Sequence, residues 1–154
     1  MSFAMPDDRL LWDARAFIYG HLAATARAPA MDEVAERLGV TSSEAEAVLR
    51  ALHERHALFL EPGTARLRMA NPFSASPTDY EVTAGGQTYW ANCAWDSFGI
   101  AAALHATEAE VRAKCAASGE PLRLRLAAGQ VEGASVVVHF QVPFEHWYDN
   151  LVFT

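Results

Sequence analysis

The sequence predicts an α+β fold, in which a winged-helix-like unit of three helices packs on a mixed or antiparallel β-sheet domain that carries further helices. Before about residue 60, apolar side chains recur at helical spacing. After residue 65, they fall into short segments separated by glycine and proline. We therefore expect an N-terminal unit over residues 1–70 and a second, α+β domain over residues 71–154.

Three helices are predicted in the N-terminal unit. The first runs from residue 9 to about 24, where apolar residues recur every three or four positions. The second covers residues 31–38 and is ended by Gly39, and the third covers residues 45–58 behind an N-cap at Thr41 or Ser42. Two helices joined by a short glycine turn and followed by a hydrophobic edge are typical of a winged helix-turn-helix.

The charge of this unit argues against DNA binding. Residues 31–56 contain six acidic side chains and three arginines, a net charge of 3 minus 6, or -3. The predicted recognition helix begins with Glu44 and Glu46, which would meet phosphates with the wrong sign. Because the whole chain carries -7, we interpret the unit as structural and expect no nucleic-acid partner.

Short elements are predicted in the second half of the chain. A strand over residues 65–69 precedes an irregular connector over residues 71–77. A hairpin is expected from residues 80–83 and 87–90 around Gly85-Gly86, followed by helices over residues 93–104 and 108–115. Gly129 and Gly133 separate two final strands, over residues 122–126 and 135–142.

The composition is that of a globular protein, with 51% hydrophobic and 20% charged residues. The N-terminal residues lack the pattern of a secretory signal, and no apolar stretch approaches the length of a membrane span. Two cysteines are too few for a disulfide framework. We therefore expect a cytoplasmic protein without a membrane partner, in which each thiol is either part of the core or part of the chemistry.

Cys93 is the strongest candidate for chemistry, because it lies where a predicted strand gives way to a helix with Asn92 as N-cap. Helix N–H groups in the first turn favour a thiolate and lower the thiol pKa. Asp96 projects from the same face one turn along, so the two groups should share a proton and titrate together. From spacing alone, the alternative is a buried thiol beside a carboxylate that only favours the helix dipole.

These residues resemble the organomercurial (alkylmercury) lyase family. The family signature is an aromatic-rich strand end followed by Cys-Ala-x-Asp, and residues 89–96 of this chain read YWANCAWD. A second family motif, Cys-Ala-x-x-Gly-x-Pro, is matched by CAASGEP at residues 115–121. The N-terminal half also looks like the winged-helix-like unit of family members, so the resemblance covers nearly the whole chain.

The resemblance implies protonolysis of a carbon–mercury bond, which gives a hydrocarbon and Hg(II). Cys93 would bind the mercury as a thiolate, a soft ligand on a soft metal, and Asp96 would supply the proton and contact the metal. Cys115 would be the structural cysteine of the family, and we expect it to be buried. No resident cofactor is implied, and the Hg(II) product could pass to small thiols or to a mercuric reductase.

Aromatic residues crowd the sequence around the motif and could form a pocket for the organic group of the substrate. We predict substrate contacts from Tyr89, Trp95 and Phe98, with a further contact from Thr154. His139 could face a pocket, but we interpret it as a half-buried residue on a strand. The histidines at positions 53 and 56 are interpreted as surface residues because no second ligand cluster accompanies them.

One departure from the family concerns its second active-site cysteine, which lies near a Phe-Thr-Cys or Phe-Cys-Cys segment. This sequence ends Leu-Val-Phe-Thr, so either Thr154 replaces that thiol or the position follows it. Three hypotheses fit: a truncated chain, a selenocysteine whose UGA codon was read as a stop, or a divergent member without the second thiol. The nucleotide sequence beyond codon 154 distinguishes them.

Two other classes of function stay open at this point. A divergent protein without the second thiol could bind mercury or thiol ligands without turnover, or act on a non-mercurial substrate. A regulator would instead bind promoter DNA with a steep salt dependence, which the acidic helices argue against.

Overall fold

The structure, a computed structural model, describes residues 6–133 and 135–149. Its N-terminal part contains three helices, each with a cap that the local sequence provides: α1 (Asp8–Thr25), α2 (Met31–Leu38) and α3 (Ser42–Glu54). Asp7 accepts a hydrogen bond from the backbone N–H of Leu10, and Thr41 forms a capping box with Glu44. Gly39 ends α2 in the left-handed conformation.

The three predicted helices are thus confirmed, with α3 ending four residues earlier than expected. The buried face of α1 consists of Leu11, Ala14, Ile18 and Leu22, at the three- and four-residue spacing that predicted the helix. These side chains join one hydrophobic core with residues of α3 and of the sheet. The winged-helix character of this region remains a prediction.

Eight strands form one antiparallel sheet within the described residues, with the spatial order β1-β2-β3-β5-β4-β6-β7-β8. The fold is therefore α+β, as predicted. The sheet runs across residue 70, and the proposed division into two domains there remains a prediction. The strands are β1 (Phe59–Leu60), β2 (Leu67–Ala70), β3 (Phe73–Ser74), β4 (Glu81–Ala84), β5 (Gln87–Ala91), β6 (Glu108–Lys114), β7 (Pro121–Ala127) and β8 (Gln130–Gly133).

The hairpin predicted around Gly85-Gly86 is confirmed. Strands β4 and β5 pair with Ala84 opposite Gln87, so the two glycines form the whole turn. Both have positive φ, 57° and 80°, which a two-residue hairpin turn of this kind requires and which glycine adopts without strain. The hairpin sets the direction in which β5 leads toward Cys93.

The fourth helix, α4 (Ala94–Ala103), follows β5 and packs against β4, β5 and β6. Ile100 is fully buried, and Ser97 and Ala101 lie beside it on the same face of the helix. Gly99 comes so close to the β2–β3 connection that an added Cβ would lie 3.1 Å from the Cβ of Pro72. The helix is therefore held between the sheet and the β2–β3 connection.

Three predicted elements of the second half were wrong. The helix expected over residues 108–115 is strand β6, in which Ala109 and Val111 are buried while Glu108 and Arg112 are exposed. Tertiary pairing with β4 and β7 overrides the helix propensity of Glu, Ala, Arg and Lys. Residues 135–142 form no strand, and the connector at residues 71–77 contains the short strand β3.

No helix in the described part of the chain is both long and apolar enough to cross a membrane.

Replacing Ile100 with alanine should destabilise the protein by about 2–5 kcal/mol, because the fully buried side chain would leave a cavity between α4 and the sheet. Urea denaturation followed by circular dichroism measures this. Val137→Ala is the control, since Val137 is 91% exposed and its truncation should change stability by less than about 0.5 kcal/mol. Equal stability of the two variants would contradict the packing described for α4.

Candidate active site

Cys93 lies at the junction of β5 and α4 and is itself the N-cap residue of the helix. Its backbone is extended, with φ -150° and ψ 178°, and its carbonyl oxygen accepts a hydrogen bond from the N–H of Ser97 at 3.2 Å. The prediction that Asn92 caps the helix was wrong by one residue. Cys93 consequently precedes the first turn instead of lying within it.

The sulfur of Cys93 is subject to opposing effects. Partial burial raises the pKa of the thiol, and the nearby Asp96 carboxylate raises the pKa further by its charge. Hydrogen bonds from the backbone N–H groups of Trp95 and Asp96 lower it. Burial is the largest effect, so the pKa lies above the ordinary value, and the expectation of a lowered thiol pKa was wrong.

Asp96 contacts Cys93, as the three-residue spacing predicted. Burial raises the pKa of the Asp96 carboxyl, while hydrogen bonds from Asn92 and from the Cys93 thiol lower it. The carboxylate is thus the acceptor and the thiol the donor in this pair. Because the pKa of each group is raised by burial and the two are hydrogen-bonded to each other, their titrations are coupled.

A cavity of about 280 Å³ opens beside Cys93, between the start of α4 and the segment formed by residues 138–147. Part of its wall is aromatic: the rings of Trp95 and Phe140 pack edge to face at 6.2 Å, and those of Phe140 and Trp147 stack at 5.2 Å. Tyr80, His139 and Gln141 contribute polar groups to the wall of the cavity. The cavity therefore combines one sulfur with an apolar wall and several hydrogen-bonding groups.

The structure brings some of the predicted substrate-binding residues to this cavity and not others. Trp95 lines it. Tyr89 is buried and its hydroxyl donates to the carbonyl oxygen of Ala23 at 2.7 Å, while Phe98 packs against the main hydrophobic core. Thr154 lies outside the described residues.

Two polar cavity residues were not selected by the sequence reasoning. Tyr80 precedes β4 and lies close enough to Cys93 that burial, and then the thiolate charge, raise the pKa of its phenol. A single aromatic residue thirteen positions before Cys93 carries no sequence signal. His139 lines the cavity from a segment without regular structure, so its interpretation as a strand residue was wrong.

Cys115 is not buried in the core, contrary to the expectation from the resemblance. It is partly exposed at the turn between β6 and β7, where its carbonyl oxygen accepts from the N–H of Gly119 at 2.7 Å. Hydrogen bonds from the Ser118 hydroxyl and from the N–H groups of Ser118 and Ala117 lower the pKa of its thiol. The two cysteines therefore differ in the direction of their pKa shifts.

Among the described residues, no group of three or more His, Cys, Asp or Glu side chains is arranged to hold a metal ion. The Cys93–Asp96 pair offers two donor atoms of different character, a soft sulfur and a hard carboxylate oxygen.

Comparison with solved structures shows a similar fold. A structure described as the mercury-bound form of MerB2 superposes with a TM-score of 0.63 at 21% sequence identity. The match covers 82% of this chain and 59% of the other, so this chain spans about three fifths of the length of that protein. No curated protein matches the sequence significantly.

The alkylmercury lyase family matches residues 73–154, slightly more than half of the chain. The protein therefore belongs to the alkylmercury lyase family. The match includes Cys93, Asp96 and the residues that line the cavity.

At pH 7.5, iodoacetamide should label Cys115 before Cys93, because alkylation requires the thiolate and the pKa shifts of the two thiols are opposite. As the pH rises, the rate at Cys115 should level off first, while the rate at Cys93 continues to increase. Mass spectrometry of peptides quantifies both sites, and Cys93→Ser and Cys115→Ser variants assign the peptides. Faster labelling of Cys93 at neutral pH would contradict the described environment of its sulfur.

Proposed function

We propose that the protein catalyses protonolysis of carbon–mercury bonds in organomercurials, with Cys93 as the mercury ligand and Asp96 as the proton donor. The observation that carries the proposal is the thiol–carboxylate pair beside an aromatic cavity in a member of the alkylmercury lyase family. A thiolate is the protein ligand that mercury prefers, and a neighbouring acid is what the departing carbon requires.

The hydrogen bond between the Cys93 thiol and the Asp96 carboxylate suits this reaction. When the mercury of R–Hg⁺ binds to the Cys93 sulfur, the S–H proton moves to the Asp96 carboxylate, and a sulfur–mercury bond forms. Coordination increases carbanion character on the carbon, whose bonding pair then takes the proton from Asp96. R–H leaves, and the Hg(II) product remains on the Cys93 sulfur next to the regenerated carboxylate.

The cavity supports an organic group attached to mercury as the substrate. Trp95, Phe140 and Trp147 provide apolar surface for an alkyl or aryl group, while the metal is held at Cys93. His139 and Tyr80 face the same space and could contact the metal or its remaining ligand. Small thiols or a mercuric reductase would then take the Hg(II), since thiolates compete well for this metal.

A mercury-binding protein without turnover is the second candidate. It is favoured by one observation: within residues 6–133 and 135–149, Cys93 is the one thiol that lines the cavity. Such a protein would take up Hg(II) or phenylmercury at Cys93 and release no hydrocarbon. Gas chromatography of the headspace over a phenylmercury reaction separates the two functions, since benzene appears only with turnover.

Cys93→Ser should abolish benzene release, because a serine hydroxyl is a poor ligand for mercury. Cys115→Ser is the matched control and should retain activity, since the exposed turn that carries Cys115 contributes no thiol to the cavity. Phenylmercury should also protect Cys93, and not Cys115, from later alkylation. Normal turnover by Cys93→Ser would remove Cys93 from the mechanism.

Asp96→Ala should still bind phenylmercury at Cys93 but release benzene about 100- to 10,000-fold more slowly, the range expected when a positioned acid is lost. Binding is measured by mass spectrometry of the adduct and turnover by gas chromatography. The control is Asp13→Ala, which removes a carboxylate that is 61% exposed and pairs with Arg9 on α1. Full activity of Asp96→Ala would show that another group delivers the proton.

Phe140→Ala should raise KM for phenylmercury more than KM for methylmercury, because the ring forms part of the apolar wall between Trp95 and Trp147. Loss of one aromatic contact is expected to change the ratio of the two KM values about 3- to 10-fold. Steady-state kinetics with both substrates measures the ratio. An unchanged ratio would mean that the organic group does not contact this wall.

A further inference from the structure

The side-chain amide of Asn92 joins the Asp96 carboxylate to the connection between β2 and β3. Its Nδ2 lies 3.1 Å from Asp96 Oδ2 and 3.0 Å from Asn71 Oδ1. The carbonyl oxygens of Pro72 and Phe73 are 3.3 Å and 3.2 Å away. An amide nitrogen has two hydrogens for these four acceptors, and the charged carboxylate is the strongest acceptor among them.

Helices α1 and α4 hold the connection on which Asn92 is anchored. The hydroxyl of Tyr19 on α1 donates to the carbonyl oxygen of Asn71 at 3.0 Å, and its ring packs edge to face on Phe73 at 6.4 Å. From the other side, Gly99 of α4 packs directly against Pro72. The acceptors around the amide group are therefore fixed relative to the helix that carries Asp96.

We propose that Asn92 is a positioning residue, which holds the Asp96 carboxyl group against Cys93 in the orientation needed for proton delivery. The inference rests on the proposed function. A carboxyl group at the start of a helix can rotate about two side-chain bonds, and a hydrogen bond to Oδ2 fixes both. The contact between Asp96 and Cys93 is then kept while mercury binds to the sulfur, and the transferred proton travels a short, constant distance.

Asparagine suits this role because its amide group is always a donor and carries no proton that titrates in the range in which the carboxyl and thiol do. An aspartate at position 92 has nearly the same shape, but it would place a carboxylate oxygen, which is an acceptor, against the acceptor oxygen of Asp96. A glutamine would keep the donor and place it about one methylene further away. These differences allow the donor function to be separated from the side-chain volume.

Kinetics on the full chain test the proposal. Asn92→Asp and Asn92→Ala should lower kcat for benzene release from phenylmercury about 10- to 100-fold, with KM changed less than about threefold, because orientation and not substrate binding is lost. Asn92→Gln should restore part of kcat. A residue with a merely structural role would lower the amount of active protein and would not be rescued by a retained donor.

Gln87→Ala is the matched control. The Gln87 amide likewise donates to a backbone carbonyl, that of Ala24, at 2.6 Å, and it lies on β5 away from the cavity. This variant should keep kcat and KM. If Asn92→Asp keeps the kcat of the unmodified protein, the proposal is overturned.

A spectroscopic measurement tests the contact without any turnover. In ¹H–¹⁵N spectra, the side-chain amide signals of Asn92, assigned by their loss in Asn92→Ala, should move when Asp96→Ala removes the acceptor. Unmoved signals would overturn the proposal even if the Asn92 variants are inactive. If the unmodified protein releases no benzene while the signals respond, the proposed function fails and the positioning contact stands.

Discussion

The packing of one face of α4 against the sheet is the constraint on which the rest of the site depends. Ile100, Ala101 and Ser97 are buried on that face, so neither the axis nor the rotation of the helix is free. The packed part of the helix fixes the position of its first turn. Cys93 and Asp96 meet there because only two residues separate the end of the paired strand β5 at Ala91 from the start of α4 at Ala94. The contact between Cys93 and Asp96 thus depends on apolar side chains that are buried about one turn further along the helix.

Burial at the start of the helix also sets the direction of the pKa shift of the Cys93 thiol. Backbone N–H groups at the start of a helix stabilise a thiolate, and this effect led to the sequence-based expectation of a lowered thiol pKa. In the folded chain, loss of water and the adjacent carboxylate outweigh it. In the proposed reaction, the proton leaves the sulfur when mercury binds, so the reactive anion would form only at the moment of binding.

Local signals predicted most of the fold, and long-range contacts account for the remainder. The caps at Asp7, Thr41 and Gly39 and the Gly85-Gly86 turn act within a few residues and were readable from the sequence. Strand β6 could not be predicted in this way, because its residues favour a helix and its pairing partners lie up to 31 positions away, as for Arg112 and Glu81. The spacing of Cys93 and Asp96 predicted their contact, whereas Tyr80 and His139 reach the cavity only through the tertiary fold.

The segment over the cavity has little regular backbone structure, with one short 3₁₀ turn at Phe144–His146. Ring contacts hold it instead, with Phe140 against Trp95 at one end and Tyr148 stacked on His56 at 4.4 Å at the other. Ring packing tolerates sliding that a hydrogen-bonded ladder does not. Under the proposed function, a covering side held only by ring contacts would admit organic groups of different bulk. Cys93 and Asp96 would meanwhile stay fixed at the start of the packed helix, so that one part of the chain would set the range of substrates and another the geometry of proton transfer.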